Sequence, residues 1–492
     1  MPFKADASFL RFLSMGATGV RRTMETLRDG GFEPIELERY CGSNKIWSTK
    51  IKRLRVPDLL CVNTGLRVEV RAKKELKIRM SDTPSNPDRV WDAGLRDEDL
   101  VAFVACSFQD GRAVAADEPV FLTVAALRRS AKSSTLGPPK SASEGAERDR
   151  TWPATVPSRD GRVLEVDTDR ITVEMHADAA RPARRQTYRL KGRNSYVRVG
   201  DTFKARTTMI AGVPPSLANL YSPAKWQYDP LPALGSKSDV DRYAAVRALA
   251  HRPDLGPRRT AALENVTHDE GDDRVVLEAA GVAASLGSSH GETCLSRFIW
   301  NNDDRPELRM EAAFILAELG HAPFAHEHLT RIARSGRFRD DELRQAAVWG
   351  LGKSGLRRYD DLLSFIDDPD DDVALHAIAG FDRQTPTATV KRLVDDLASG
   401  GDRRRAAASA ALVAIGSDEV ITTLATAART TPDDWILATL GRMPPARVRR
   451  LLAGDHLLTR ISPMLLTADG ANWLATEGKR ADLAFLFAQD IA

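Results

Sequence analysis

The sequence predicts a multidomain protein with an N-terminal α/β domain, a small all-β barrel and a C-terminal α-solenoid. Three observations carry that expectation. A helical pattern and a strand hairpin stand in the first 80 residues, short alternating segments crowd 161–212, and an alanine-rich unit recurs from Asp239 onward. At 492 residues the chain is too long for one core, since single cores stop growing at about 250–300 residues. The expected division is 1–131 for the α/β domain, 132–160 for a linker and 161–212 for the barrel. A Pro-rich connector at 213–238 and the solenoid at 239–492 complete it.

In the α/β domain, Val20, Met24 and Leu27 recur at helical spacing before Gly30-Gly31, a helix stop. Pro34–Arg39 then alternates, with Ile35 and Leu37 on one strand face. Val56–Val62 is an apolar run, Asn63-Thr64-Gly65 is a turn signal, and Leu66–Lys73 alternates apolar with polar. Successive strand side chains point to opposite faces. Glu69, Arg71 and Lys73 therefore share one face while Val68, Val70 and Ala72 pack behind it. Asp58 starts the neighbouring strand, where it can approach Glu69. Leu100–Cys106 and Pro119–Val124 read as further strands.

Two carboxylates converging beside a cation suit a divalent metal site for phosphodiester hydrolysis. In that arrangement Asp58 and Glu69 are the metal ligands, for Mg²⁺ or Mn²⁺, while Arg71 and Lys73 contact the scissile phosphate. Pro57-Asp58 and Glu69-Val70-Arg71 resemble the PD-(D/E)xK nuclease superfamily, and the order helix, three strands, crossover, strand is similar to the core of its restriction-endonuclease-like fold. The resemblance covers residues 15–130 and implies a catalytic set of Asp58, Glu69, Arg71 and Lys73. One departure matters. The family's lysine position holds Arg71, which cannot lose its proton and so cannot serve as a base. Lys73, two residues along on the same face, is the candidate for that role. Glu25 or Glu36 is the candidate for a third metal ligand.

The net charge of +3 hides a division. Residues 1–236 hold 39 Lys+Arg against 29 Asp+Glu, a balance of +10, whereas 237–492 hold 32 against 39, a balance of −7. Within Lys45–Arg79 the count is 11 basic to 3 acidic. That cluster attracts a polyanion, with Lys45, Lys50, Lys52, Arg53, Arg55 and Lys74 as the candidate nucleic-acid contacts. DNA is expected ahead of RNA. The four cysteines lack metal-ligand spacing, and Cys61 and Cys106 fall inside apolar runs as small core residues. With no charged-then-apolar leader and no long apolar run, a reduced cytoplasmic setting without membrane contact is expected. His326 and His328 read as surface residues.

Residues 132–160 are rich in Ser, Pro and charge, as a linker would be. Between 161 and 212, candidate strands at Arg162–Val166, Arg170–Met175, Thr187–Leu190, Tyr196–Val199 and Thr202–Ile210 suggest a small barrel with interleaved arginines and tyrosines. Further on, Val275–Gly287, Leu308–Gly320 and Leu343–Gly355 align without gaps, as does the segment ending at Gly416, and weaker copies run from Val240 and Val373. Each carries an apolar face with small Ala and ends on Gly, which allows a left-handed cap. These units resemble HEAT repeats of the short alanine-rich type also found in phycobilin lyases, with Leu457–Ala492 as a C-terminal cap. The resemblance implies a binding scaffold for a protein partner. The run Asp367–Asp372 is expected to supply helix N-terminal charge.

The leading expectation is a metal-dependent nuclease with a HEAT-repeat protein-interaction scaffold, an architecture similar to bacterial antiviral or restriction proteins. The alternatives are a catalytically inactive nucleic-acid-binding adaptor, and a scaffold whose repeats are the functional part.

Overall fold

The computed structural model describes residues 7–467 apart from 38–46, 48–53, 87–89, 110–111, 138–145, 215–216, 219, 222–226, 270, 302–303, 339–341 and 354–357. The chain forms two compact units. One comprises Ser8–Tyr40 and Arg53–Val266, and the other Met1–Ala7, Cys41–Lys52 and Thr267–Ala492. The first is rich in sheet and the second is a run of helices.

In the sheet-rich unit, helix α1 (Ala7–Asp29) precedes strands β1 (Pro34–Glu36), β2 (Leu59–Cys61), β3 (Arg67–Lys73) and β4 (Arg79–Asp82). Then come β5 (Leu100–Gln109), β6 (Arg112–Ala115), β7 (Val120–Thr123) and α2 (Val124–Arg129). The main sheet runs β1-β2-β3-β5-β6, with β7 also on β5, and β3 and β5 are its parallel pair. The crossover between them carries β4 and turns, with no helix among its described residues. On one face Val20 and Leu27 of α1 pack with Val68, Val70 and Ala72 of β3 and the inward side of β5. Gly19 permits this approach, since a Cβ there would lie 2.8 Å from the Ala72 Cβ. The predicted turn is present too, with Gly65 at φ +74°.

The described residues of the stretch read as a linker are folded. Strands β8 (Ser133–Gly137), β9 (Glu147–Thr151) and β10 (Ala154–Thr155) lie within it, and β4-β9-β8 form a three-stranded sheet. Its charges are used in pairs: Arg148 and Arg150 both hydrogen-bond buried Asp82, each through Nε at 2.8 Å. Burial raises the Asp82 pKa, but the hydrogen bonds from Arg148 and Arg150 outweigh it and hold the carboxyl below its ordinary value. Trp152, just beyond β9, is fully buried with Trp91, Met80 and Phe103. A linker would have left it in water.

The expected barrel is an open assembly. Strands β11 (Gly161–Val166), β12 (Arg170–Met175), β13 (Arg184–Arg189), β14 (Asn194–Ser195), β15 (Thr202–Phe203) and β16 (Ala211–Gly212) divide between two sheets. Their orders are β13-β12-β11-β15 and β10-β16-β14, and neither closes on itself. Val163, Ile171, Val173 and Met175 form the core beneath the larger one. The Pro-rich connector packs onto the hairpin turn, where Gln227 and Tyr228 both donate to the Asn63 carbonyl at 2.7 and 3.1 Å.

Helices follow as α3 (Asp239–Leu249), α4 (Pro257–Asp269), α5 (Asp273–Ser285), α6 (Ser289–Trp300), α7 (Pro306–Glu318), α8 (Pro323–Arg334) and α9 (Glu342–Lys353). The run continues with α10 (Tyr359–Leu363), α11 (Asp371–Ala379), α12 (Thr387–Ser399), α13 (Asp402–Ile415) and α14 (Asp418–Thr430). It ends with α15 (Asp434–Gly441), α16 (Pro445–Leu451) and α17 (His456–Thr467). From α5 onward each packs on its neighbours through buried Ala, Leu and Val, a repeat-like arrangement that fits a solenoid. Gly287 and Gly416 take positive φ at two of the expected helix ends. Asp370 caps α11 through the Asp372 and Val373 N–H groups, and Asp371 and Asp372 fill its first turn. His326 departs from expectation: it is buried, with Nε2 3.1 Å from Asp361 Oδ2.

The segment from Val240 that reads as a weak repeat copy does something else. As α3 it covers the second face of the sheet, where Ala244 and Ala248 pack with Leu37, Leu60 and Val62. Asp241 meets the buried Arg67 guanidinium at 2.5 Å, and Arg67 also donates to the Gly94 carbonyl at 3.0 Å. Asp241→Ala leaves part of a buried cation unsatisfied. Loss of a hydrogen bond to a charged group costs about 1.5–3 kcal/mol, so urea unfolding should show a lower midpoint with an unchanged slope. An unchanged midpoint would show that α3 does not clamp the sheet through this pair.

Candidate nuclease-like site

The main sheet brings the two carboxylates to one place. Leu59 pairs with Val68 and Leu60 with Arg67, so one step back along β2 Asp58 stands opposite Glu69. Both belong to the face that carries Arg67 and Leu60, away from α1. Asp58 also holds β3 directly, its Oδ2 accepting from the Val70 N–H at 2.6 Å. The expectation that Glu69, Arg71 and Lys73 share a face holds: in the parallel register they lie beside Val101, Phe103 and Ala105, which face the core away from α1.

The electrostatics are more occupied than the sequence suggests. Glu69 Oε1 lies 2.6 Å from Arg71 Nη2, with Glu69 mostly buried and Arg71 partly so. Lys73 has its pKa lowered to about 8, first by burial, then by the neighbouring charges of Arg79 and Arg71. Arg79, on β4, grips Asp149 of β9 through Nε at 3.1 Å and a second contact from Nη2. The site is therefore an alternation of charges: Asp58, Glu69 and Asp149 among Arg71, Lys73 and Arg79. Arg79 and Asp149 were missed because Asp149 lies in the segment read as a linker. The alternating signs of Glu147-Arg148-Asp149-Arg150 were the available signal.

The third-ligand candidates do not join. Glu25 is exposed on α1, paired with Arg22 at 3.0 Å. Glu36 alternates with Ile35 and Leu37, which pack under α3, so its side chain belongs to the α1 face, opposite Asp58 and Glu69. Among the described residues no three His, Cys, Asp or Glu gather as a metal cluster. Two carboxylates still match the usual demand of Mg²⁺, which is commonly held by one or two carboxylates plus substrate oxygens and water. Of the candidate nucleic-acid contacts, Arg55 and Lys74 are exposed, the latter with Nζ 5.9 Å from the Phe12 ring centre. Lys45, Lys50, Lys52 and Arg53 lie outside the described residues. Cys61 and Cys106 are buried core thiols as expected, pushed up to about 12 and about 11 by burial, with Asp99 adding to the first.

No protein-family model matches the chain. No curated protein matches it either. Among solved structures it is similar to the complex of CpcE and CpcF of phycocyanin lyase from Nostoc, at 19% identity and a TM-score of 0.26, covering 49% of this chain and 95% of that one. The Escherichia coli protein YibA is similar at 16% identity and a TM-score of 0.27, covering 52% and 90%. At such scores the likeness carries no argument about fold or function. No described helix is long and apolar enough to cross a membrane.

Proposed function

We propose that the sheet-rich unit is a metal-dependent nuclease and that the helical run is a HEAT-type scaffold for a protein partner. The supporting observation is Asp58 opposite Glu69, with half-buried Lys73 on the same face of β3. A bound Mg²⁺ would lower the pKa of a water and polarise the phosphoryl group. Asp58 and Glu69 would hold it. Lys73, a lysine poised near neutrality, accepts a proton, and Arg71 binds a phosphate oxygen when it lets go of Glu69. The test is incubation of the purified protein with DNA and RNA in Mg²⁺, Mn²⁺ or EDTA. Cleavage in either metal and none in EDTA supports the reading; none in any condition overturns it.

The Glu69–Arg71 ion pair favours a second reading, a nucleic-acid-binding adaptor without chemistry. Retention of DNA in EDTA without cleavage in metal is its signature. Under both readings affinity falls steeply with salt. Arg55→Ala and Lys74→Ala should each flatten the log–log salt slope by about 1. A wild-type slope in both variants would remove these residues from the interface.

A further inference from the structure

Arginines in this protein are commonly matched to acids: Arg128 takes both Asp92 and Asp97, and Arg305 both Asp273 and Glu307. Strand β13 and its flanks break that pattern. Residues 179–198 hold seven Lys and Arg and no Asp or Glu. β13 is the outermost strand of its sheet, and its register with β12 sorts its side chains. Arg184, Gln186 and Tyr188 stand beside Met175, Val173 and Ile171, which are buried in the core. Arg185, Thr187 and Arg189 are exposed and stand beside Glu174, Thr172 and Arg170 on the outer face. The Thr172 and Thr187 hydroxyls lie 3.3 Å apart, as residues of one face do.

Four of the five acids between 161 and 198 are already engaged. Glu174 pairs with Arg162 at 3.3 Å, Glu165 and Asp167 with Arg170 at 3.6 and 3.5 Å, and Asp178 with Arg181 at 2.6 Å. Asp169, in the turn between β11 and β12, remains. Among the described residues nothing partners the side chains of Arg185, Arg189 or Lys191, the last in the turn after β13. Arg189 also stands directly opposite Arg170, and like charges so placed destabilise a sheet. Packing does not call for this arrangement, whereas an anion laid along the face neutralises it. From Arg185 to Arg189 the strand spans about 13 Å, with the Thr187 hydroxyl between them. Arg, Lys and Thr are common donors to phosphate oxygens. No aromatic stands on the outer face, since Tyr188 is half-buried on the core side, so bases have nothing to stack on. We propose that the outer face of β13, with Arg185, Thr187 and Arg189 continued by Lys191, is a track for the phosphate backbone of nucleic acid, bound without regard to base sequence. It shares only its partner class with the readings above and stands whether or not the protein cuts.

The test is fluorescence anisotropy of labelled duplex DNA with the full-length protein across a salt series, in EDTA so that metal-dependent cleavage plays no part. Each lost phosphate contact removes about 1 from the log–log salt slope. The double variant Arg185→Ala/Arg189→Ala should therefore flatten it by about 2 and weaken binding at least tenfold at low salt. Arg185→Lys/Arg189→Lys keeps both charges and should keep the slope. Arg198→Ala removes an exposed cation, also unmatched among the described residues, in the turn leading to β15 at the other edge of the sheet. It should leave the slope at the wild-type value. Two duplexes of unrelated sequence should bind alike. An unchanged slope in the double alanine variant, an equal loss per residue from Arg198→Ala, or a tenfold preference for one sequence would overturn the proposal. So would tighter binding of poly-glutamate than of DNA, which would point to an acidic protein segment instead. Should circular dichroism show the double alanine variant unfolded, Arg189→Gln is measured alone, with a flattening of about 1 expected and none overturning the idea.

Discussion

Asp58→Ala and Glu69→Ala should each abolish the proposed cleavage. Metal-borne charge stabilisation is worth several kcal/mol in the transition state, and each 1.36 kcal/mol is tenfold in rate. Removing either carboxylate should thus lower the rate by about 10²–10³-fold or more. Asp58 has a second duty that must be separated from the first, since its Oδ2 accepts the Val70 N–H. Leaving that donor unsatisfied costs about 1–3 kcal/mol of stability. Asp58→Asn keeps an acceptor oxygen for Val70 while removing the charge, so it should fold like the wild type and still not cut. Glu69→Gln tests the other side, because it also loosens Arg71. Cleavage at the wild-type rate by Asp58→Asn or Glu69→Gln would sink the site assignment.

Lys73→Ala should lower the rate by about 10²–10³-fold, the scale of losing one preorganised contact. The lowered pKa gives a sharper signature. If Lys73 takes the proton, only its neutral form works, so the rate should climb with pH, reach half its plateau near 8 and level off above. Lys73→Arg keeps a cation that cannot deprotonate and should erase the climb. The same shift acts on stability. Between about pH 8 and the ordinary lysine range the unfolded chain binds more protons at this site than the folded one, so its contribution to stability rises with pH there. A flat wild-type rate profile from pH 6 to 10 would rule Lys73 out as the base.

The hairpin was legible because its periodicities are pure. Leu59–Cys61 is buried on both faces, and the period of two in β3 sets Val68 and Val70 in the core under α1 and Glu69, Arg71 and Lys73 on the charged face. The register that sets Asp58 against Glu69 follows from the turn at Asn63–Gly65. Strand β9 was illegible for the opposite reason. Each of its residues is half-buried and its partners are side-chain charges on β4, so no apolar alternation exists to be read. The carboxylate pair was therefore visible in the sequence, whereas Arg79 and Asp149 beside it were not. Helix α3 fails differently. Its alanines look like those of the repeats, and one-dimensional pattern records that a face is buried, not what covers it. The His326 error has the same root, since Asp361, its partner, is 35 residues away.

The burial of Trp47 against Phe314 and His376 also constrains how the protein is made. On a ribosome adding about 5–20 residues per second, Phe314 follows Trp47 by about 270 residues and so appears roughly 15–50 s later. During that interval the ring has no permanent resting place. Closing so long a loop is entropically costly, and contacts of such separation in sequence form slowly. Docking of Trp47 is thus a late event in biogenesis.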